Sequence, residues 1–357
     1  MTVGLGIIGV GRWADAHAEA ASRSKQVDFV SCFGPTPERR ASFAARHGIE
    51  NVAESLGELL ADRRVEAVVI SSPNDVHAEH VRQVIAAGKL ALVDKPLAVD
   101  AAEGIELLRL VKDWSVPVGV AHHARRLAGH RAAADWIASG AAGAIRVAHA
   151  DFSNARGAHL AADAWHRTDR GSEAGVLIQV GIHHVDNLLY LLGPPVSVNA
   201  RLAYGTPGLE IPDVAVVIVN HAGGAISAVS SCWTTPSHYR LDLLATGGNL
   251  EFRLDHSQWA SPDVDDHSEL TLETPTQRRR TVSIDKGDPL REQLEELGMA
   301  VRQGTPMEVG VAEGLRAVAV VEAAALSAGL GGEEVDIRGL LSTAGATANE
   351  IDGLMER

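Results

Sequence analysis

Gly6-Ile7-Ile8-Gly9-Val10-Gly11-Arg12-Trp13-Ala14-Asp15-Ala16-His17 is the stretch that decides how this chain is read. Ahead of the turn, residues 3–8 form a short apolar run of strand character. Beyond it, residues 12–22 are alanine-rich and helix-compatible. Strand, glycine turn and helix start, in that order, are the context in which a loop cradles a dinucleotide. Gly9 permits the tight turn, Gly11 lets backbone approach a pyrophosphate, and Ala14 is the third small residue, where helix packs on strand. The diphosphate would rest on unpaired N–H groups at the helix N-terminus, favoured by the helix dipole. A glycine-rich turn with no ligand is the competing reading, and the placement of the motif between strand and helix weighs against it.

With 357 residues the chain has room for two domains and a large core. Its apolar runs fall short of the ~20 residues that a membrane span requires. The first ten residues lack a basic leader and flow into the glycine turn, so they read as a strand and not as a signal peptide. Cys32 and Cys232 are the two cysteines. That count argues against a disulfide framework or thiolate zinc site and suits core thiols in a reducing cytoplasm. A formal charge of −14 disfavours nucleic acid or an anionic membrane as partner. It does not exclude an anionic cofactor, which the loop would hold through backbone dipoles. The 16 histidines show no spacing, joined to carboxylates, that a zinc site would use, so no metal is expected. The composition points to a cytoplasmic enzyme or regulator.

Up to about residue 121, apolar strands alternate with amphipathic helices, the pattern of a parallel sheet covered on both faces. Strands are expected at 27–33, 65–71, 90–93 and 116–121. Thr36 and Pro37 open one helix as N-cap and first helical residue, and Gly48 closes it. Ser55 and Glu58 form a capping-box pair. The later chain has a different rhythm: helices at 131–139 and 183–192, then strands at 196–204, 214–221, 225–233, 239–246, 250–254, 270–273 and 281–284. A strand at 145–152 precedes them, and Gly223-Gly224 and Gly247-Gly248 read as hairpin turns. Consecutive strands without helices between them imply a mostly antiparallel sheet. Residues 290–330 return to helix, with Leu294, Leu297 and Val301 at helical spacing.

Three further segments are candidates for chemistry. Ser72-Pro73-Asn74-Asp75-Val76-His77 follows a strand, at the edge where an α/β sheet forms its ligand crevice. The same residues also read as a turn in which Asp75 caps the next helix. Asp94-Lys95-Pro96 again follows a strand. A lysine there can donate to a substrate oxygen, with desolvation lowering its pKa towards working pH and the proline stiffening the turn. A solvent-exposed lysine is the alternative. In Gln179-Val180-Gly181-Ile182-His183-His184-Val185-Asp186, a histidine at the start of an apolar helix can take a proton from a hydroxyl as hydride leaves the same carbon. A core histidine is the alternative, and Asp186 is expected to pair locally or to cap the helix.

Taken in order, these motifs resemble the glucose–fructose oxidoreductase / inositol dehydrogenase / MocA family nearly end to end. The resemblance rests on Gly9-x-Gly11-x-x-Ala14, Pro73-Asn74-x-x-His77, Lys95-Pro96 and Val118-Gly119-Val120 with Arg125-Arg126. It continues through Trp165 and Gly181-x-His183-x-x-Asp186. It implies an α/β protein: an N-terminal Rossmann dinucleotide-binding domain (1–121) plus a C-terminal α+β domain (122–357). The second domain would carry a large, mostly antiparallel open sheet, and the helices near 290–330 would pack back on the first domain. It also implies NAD or NADP as cofactor, hydride transfer at a secondary alcohol or ketone of a sugar, sugar derivative or cyclitol, and a homodimer or homotetramer.

The family's functional lysine maps onto Lys95 and its functional histidine onto His183. The cofactor is expected along Gly9, Val10, Gly11, Arg12, Trp13, Ser72, Pro73, Asn74, His77, Asp94 and Lys95. Substrate is expected along Lys95, His122, His123, Trp165, Arg167, Gln179 and His183. Several positions depart from the family pattern. Asp94 replaces the usual Glu, and Gln179, which cannot exchange a proton, replaces an Asp. Gly34-Pro35 stands where Asp or Ser-Arg is common, and Leu127 and Gly129 replace an aromatic and a proline. Two other functions fit the same motifs: a dihydrodiol dehydrogenase of this family, or a catalytically silent cofactor-sensing regulator.

Overall fold

Continuous apolar runs become strands buried on both faces in the computed structural model, which describes residues 2–160 and 174–356. One compact unit comprises Met1–Ala98, Glu103–His123 and Asp288–Gly314; the other comprises Val99–Ala102, Ala124–Gly287 and Leu315–Arg357. The division expected after residue 121 falls two residues before the end of the first unit's middle segment.

The first unit is built on strands β1 (Val3–Ile8), β2 (Val27–Phe33), β3 (Asn51–Val52), β4 (Ala67–Ile70), β5 (Leu90–Asp94) and β6 (Val118–Ala121). They form a parallel sheet in the order β3-β2-β1-β4-β5-β6. Helices α1 (Arg12–Ser22), α2 (Pro37–His47), α3 (Leu56–Ala61), α4 (His77–Ala86) and α5 (Ala101–Trp114) alternate with them. Thr36 and Pro37 begin α2, and Gly48 ends it in the left-handed region at φ 68°. Ser55 caps α3 by accepting from the Glu58 N–H at 3.1 Å, while the Glu58 carboxylate reaches the N–H of Glu54 instead of closing the box.

Register places the functional edge. Ile8 pairs with Ile70, Ile70 with Val93, and Val93 with Val120. Gly9, Ser71, Asp94 and Ala121 therefore emerge side by side at the carboxyl edge of the sheet. Strand order reverses between β1 and β4, the switch point at which such sheets open a ligand crevice. Helix α8 (Pro289–Gln303) comes from far along the chain to pack on α1 and the sheet. Asp288 caps α8 by accepting from the Arg291 N–H and accepts from Arg23 at 2.8 Å.

The second unit contains α6 (Ala128–Ala138), β7 (Ile145–Ser153), α7 (Ile182–Leu192), β8 (Pro195–Ala203), β9 (Val214–His221), β10 (Ile226–Cys232), β11 (His238–Ala245) and β12 (Gly248–Leu254). β13 (Ser268–Thr274), β14 (Gln277–Thr281), most of α9 (Val311–Gly329), β15 (Val335–Asp336), α10 (Ile337–Thr343) and α11 (Ala348–Met355) follow. The nine strands run β14-β13-β12-β11-β7-β10-β9-β8-β15, antiparallel except for the β7–β10 pair. Burial alternates along β9 and β10, so one face meets helices and the other is open.

Two local expectations need correction. The last hairpin strand lies at Gln277–Thr281 and not at 281–284. It is an edge strand exposed on both faces, so its residues are polar and no alternation marks it. The β11–β12 hairpin turns on Thr246-Gly247, because Ala245 pairs with Gly248. Among the described residues no helix is long and apolar enough to cross a membrane.

Candidate active site

Gly9 turns the chain out of β1 at φ 97°, and a Cβ there would lie 2.3 Å from the Ser71 carbonyl oxygen. Only glycine fits. Gly11 differs: a Cβ there would meet nothing within 4 Å. It is the N-cap of α1, and no side chain caps that end. The turn thus presents exposed backbone and a helix N-terminus with room in front of them, which fits a pyrophosphate. Ala14 is fully buried. Val10 covers the end of β2, where a Cβ on Gly34 would stand 2.7 Å from Val10 Cγ2. Arg40 donates to the Gly34 carbonyl at 3.1 Å. Arg12 is exposed, and Trp13 is half-buried with its ring 5.3 Å from that of His123.

The turn after β5 is held from both sides. Asp94 Oδ1 accepts from His17 Nε2 at 2.8 Å, and its Oδ2 accepts from Ser71 Oγ at 2.6 Å. Burial works to raise the Asp94 carboxyl, but the His17 ring and the Ser71 hydroxyl outweigh it and hold the group below its usual value. His77 begins α4 and is buried, with Nδ1 2.7 Å from the Pro96 carbonyl and Nε2 2.8 Å from the Ser72 carbonyl. Burial lowers its basicity. Lys95 between them is half-buried, and its peptide bond to Pro96 is cis. Asn74 is buried within a short 3-10 turn, while Ser72 Oγ meets His80 Nδ1 at 2.9 Å. Asp75 is exposed and caps nothing, since α4 starts without a side-chain cap. His122 and His123 are both buried, and burial together with nearby His17 pushes His123 down to about 3.

In the second unit, a π-helical turn over Leu177–Gly181 leads directly into α7. Such wide turns are rare and recur at functional sites. Gln179 sits in this turn and His183 in the first turn of α7; both are buried. The His183 ring lies 5.2 Å from Trp259, edge to face, and 5.8 Å from Phe152, which in turn touches His256 at 4.6 Å. Sequence reading singled out none of these three aromatic partners, which come from β7 and the segment after β12. Asp186 pairs not locally but with Arg125, 61 residues away, in a buried two-pronged contact of 2.6 and 2.7 Å. His184 meets the Asp151 carbonyl at 3.0 Å, and burial pushes it down to about 3. Trp165 and Arg167 lie outside the described residues. Cys32 is buried as expected, whereas Cys232 is part-exposed and contacts Thr234. Among the described residues no group of three or more His, Cys, Asp or Glu is placed to hold a metal ion.

Comparison with known proteins agrees with the fold. A model described as an oxidoreductase family with an NAD-binding Rossmann fold matches residues 3–122, and one for the GFO/IDH/MocA C-terminal domain matches residues 130–254. The 1,5-anhydro-D-fructose reductase of Ensifer adhaerens is 31% identical over 237 residues, covering 64% of this chain and 69% of the reductase. The scyllo-inositol 2-dehydrogenase (NADP(+)) IolW of Bacillus subtilis is 24% identical over 292 residues, covering 76% and 79%. The crystal structure of an oxidoreductase from Desulfitobacterium hafniense superposes with TM-score 0.91 at 30% identity, covering 96% of this chain and 99% of that one.

Proposed function

The chain belongs to the Gfo/Idh/MocA family of NAD(P)-binding oxidoreductases, and from that premise we propose which residues carry its reaction. It acts on CH–OH groups of sugars, sugar derivatives or cyclitols. When bound, the nicotinamide exchanges a hydride with the substrate carbon. The Gly9 turn and the N-terminus of α1 hold the pyrophosphate. Lys95 hydrogen-bonds the reacting oxygen and stabilises the charge that develops there. His183 exchanges the hydroxyl proton. Gln179 supplies hydrogen bonds but no charge. The observation that carries this reading is the register-aligned carboxyl edge, where the turn with open space before Gly11 and the braced Asp94-Lys95 turn emerge from one sheet.

NADP is accepted as well as NAD under this proposal. The ribose-binding carboxylate common at the end of β2 has no room here, because Val10 fills the space beside Gly34, and Arg39 and Arg40 follow on α2. A homo-oligomer is proposed from the open sheet face. Val216, Ile218, Ile226 and Leu244 are exposed on it, and Val147 joins Ile226 to Leu244 by register. Free thiols at Cys32 and Cys232 suit a cytoplasmic setting.

The test is turnover of NAD+ and NADP+ with a panel of sugars, 1,5-anhydro sugars and inositols, followed by absorbance of the reduced nicotinamide. Lys95→Ala should cut kcat with little change in cofactor affinity. A variant with wild-type kcat would remove Lys95 from the mechanism.

A further inference from the structure

We propose that His77 is the positioning residue for Lys95: its buried ring ties the loop after β4 to the turn after β5 and so sets the direction in which the lysine leaves the sheet. The inference rests on the reading of Lys95 as the group that meets the reacting oxygen.

Both ring nitrogens are already committed to protein. Nδ1 faces the carbonyl of Pro96, the residue after Lys95, at 2.7 Å, and Nε2 faces the carbonyl of Ser72 at 2.8 Å. The sequence placed His77 along the cofactor, but its ring is 1% exposed with both nitrogens against backbone carbonyls, so it acts through what it holds. Its own backbone is the first residue of α4, which packs against β5 and gives the ring a rigid mount. Asp94, on the other side of Lys95, is fixed separately by His17 and Ser71. Lys95 is therefore flanked by two anchored residues, and the His77 side is the one that leans on a single imidazole. A neutral ring has one N–H, so it donates to one of the two carbonyls at a time, and the proton's position decides which. Removing the ring would take that shared donor away from between the two loops, and the lysine turn would move as its carbonyl sought another.

The experiment combines His77→Leu, His77→Gln and Lys95→Ala, singly and as His77/Lys95 double variants, in the full chain. It uses the substrate that gives turnover in the panel, with NADP+ varied up to saturation so that kcat and cofactor KM are both read. His77→Leu should lower kcat by up to about 100-fold, the effect expected of a misplacement near 1 Å. His77→Gln, whose amide still donates, should recover most of that loss. In the Lys95→Ala background, His77→Leu should change kcat by less than about twofold, because both changes remove one function. Equal losses from His77→Leu with and without Lys95 would overturn the positioning role while leaving Lys95 in place. So would a rise in cofactor KM at unchanged kcat. Wild-type kcat in Lys95→Ala would overturn both assignments together. Should His77→Leu fail to fold, the same cycle run with His77→Phe, which keeps a ring's bulk and donates nothing, decides between coupling and additivity.

Discussion

Acid should destabilise this protein well above the carboxylate range, because three imidazoles are buried neutral. Burial pushes His123 to about 3, His130 to about 4 and His184 to about 3. In the unfolded chain each returns to about 6.5. With the folded value depressed, the unfolded state binds more protons at any pH below 6.5. Stability is therefore complete above that value and drains away as pH falls towards the folded values. At pH 5.5 each site costs RT ln 11, about 1.4 kcal/mol. His130 and His184 both belong to the second unit, which loses about 3 kcal/mol, twice the loss that His123 alone brings to the first. The buried His77 and half-buried His80 of the first unit and the buried His221 of the second are displaced in the same direction and add to these losses. Urea unfolding at pH 7.5 and 5.5, followed by tryptophan fluorescence and circular dichroism, reads the effect directly. With a slope of about 2–3 kcal/mol per M, the midpoint should fall by roughly 1 M. His184→Gln removes one titrating ring and should remove about half of the second unit's pH dependence. Coincident midpoints at the two pH values, or a pH dependence untouched by His184→Gln, would refute the reasoning.

The two glycines of the turn should separate by assay. Gly9→Ala meets both a positive φ and the Ser71 carbonyl and should cost about 2–4 kcal/mol of stability. Gly11→Val enters open space and should keep the unfolding midpoint but lose NADP+ binding in calorimetry; unchanged affinity would take the turn out of the cofactor site. Gly34→Asp alone should be blocked by Val10, whereas Val10→Ala with Gly34→Asp opens the space for a ribose-binding carboxylate. The double variant should shift the NAD+/NADP+ affinity ratio towards NAD+ by at least about tenfold, the worth of one charged hydrogen bond, and an unaltered ratio refutes it. Arg125→Met leaves Asp186 charged and buried, so the second unit should lose about 3–5 kcal/mol; a urea midpoint within error of wild type would show that the pair bears little of its stability.

Local features of this fold were legible because their causes are local. The β1–Gly9–α1 turn, the Thr36-Pro37 start of α2 and the burial of β4 follow from spacing, φ preference and apolar runs within a dozen residues. Lys95 and His183 stood out by their place after a strand and at a helix start, and the roles proposed for them came from the family resemblance. The contacts around them were not legible. His17 reaches Asp94 across 77 residues, Arg125 reaches Asp186 across 61, and His77 spends its ring on backbone carbonyls that have no sequence identity. The π-helical turn under Gln179 leaves no periodic mark in so apolar a stretch. One signal was present and unread: Thr347-x-x-Glu350 forms a complete capping box, and it announces α11 beyond the last helix the sequence reading assigned.

Helix α8 has a consequence for how the chain is made. Its Gly298 sits where a Cβ would be 2.7 Å from Val27 Cγ1, and its Glu295 accepts from Ser24, so it seals the first unit against residues near the start of the chain. The parallel sheet is fully synthesised once β6 has emerged, yet 167 residues separate Ala121 from Pro289. At ~5–20 residues per second, a ribosome needs roughly 8–33 s to cross that interval. For that time the nascent sheet waits without its last covering helix, with the flank of β2 that α8 covers left open to chaperones or to neighbouring chains. A permuted gene that encodes residues 288–314 ahead of β1 would remove the wait.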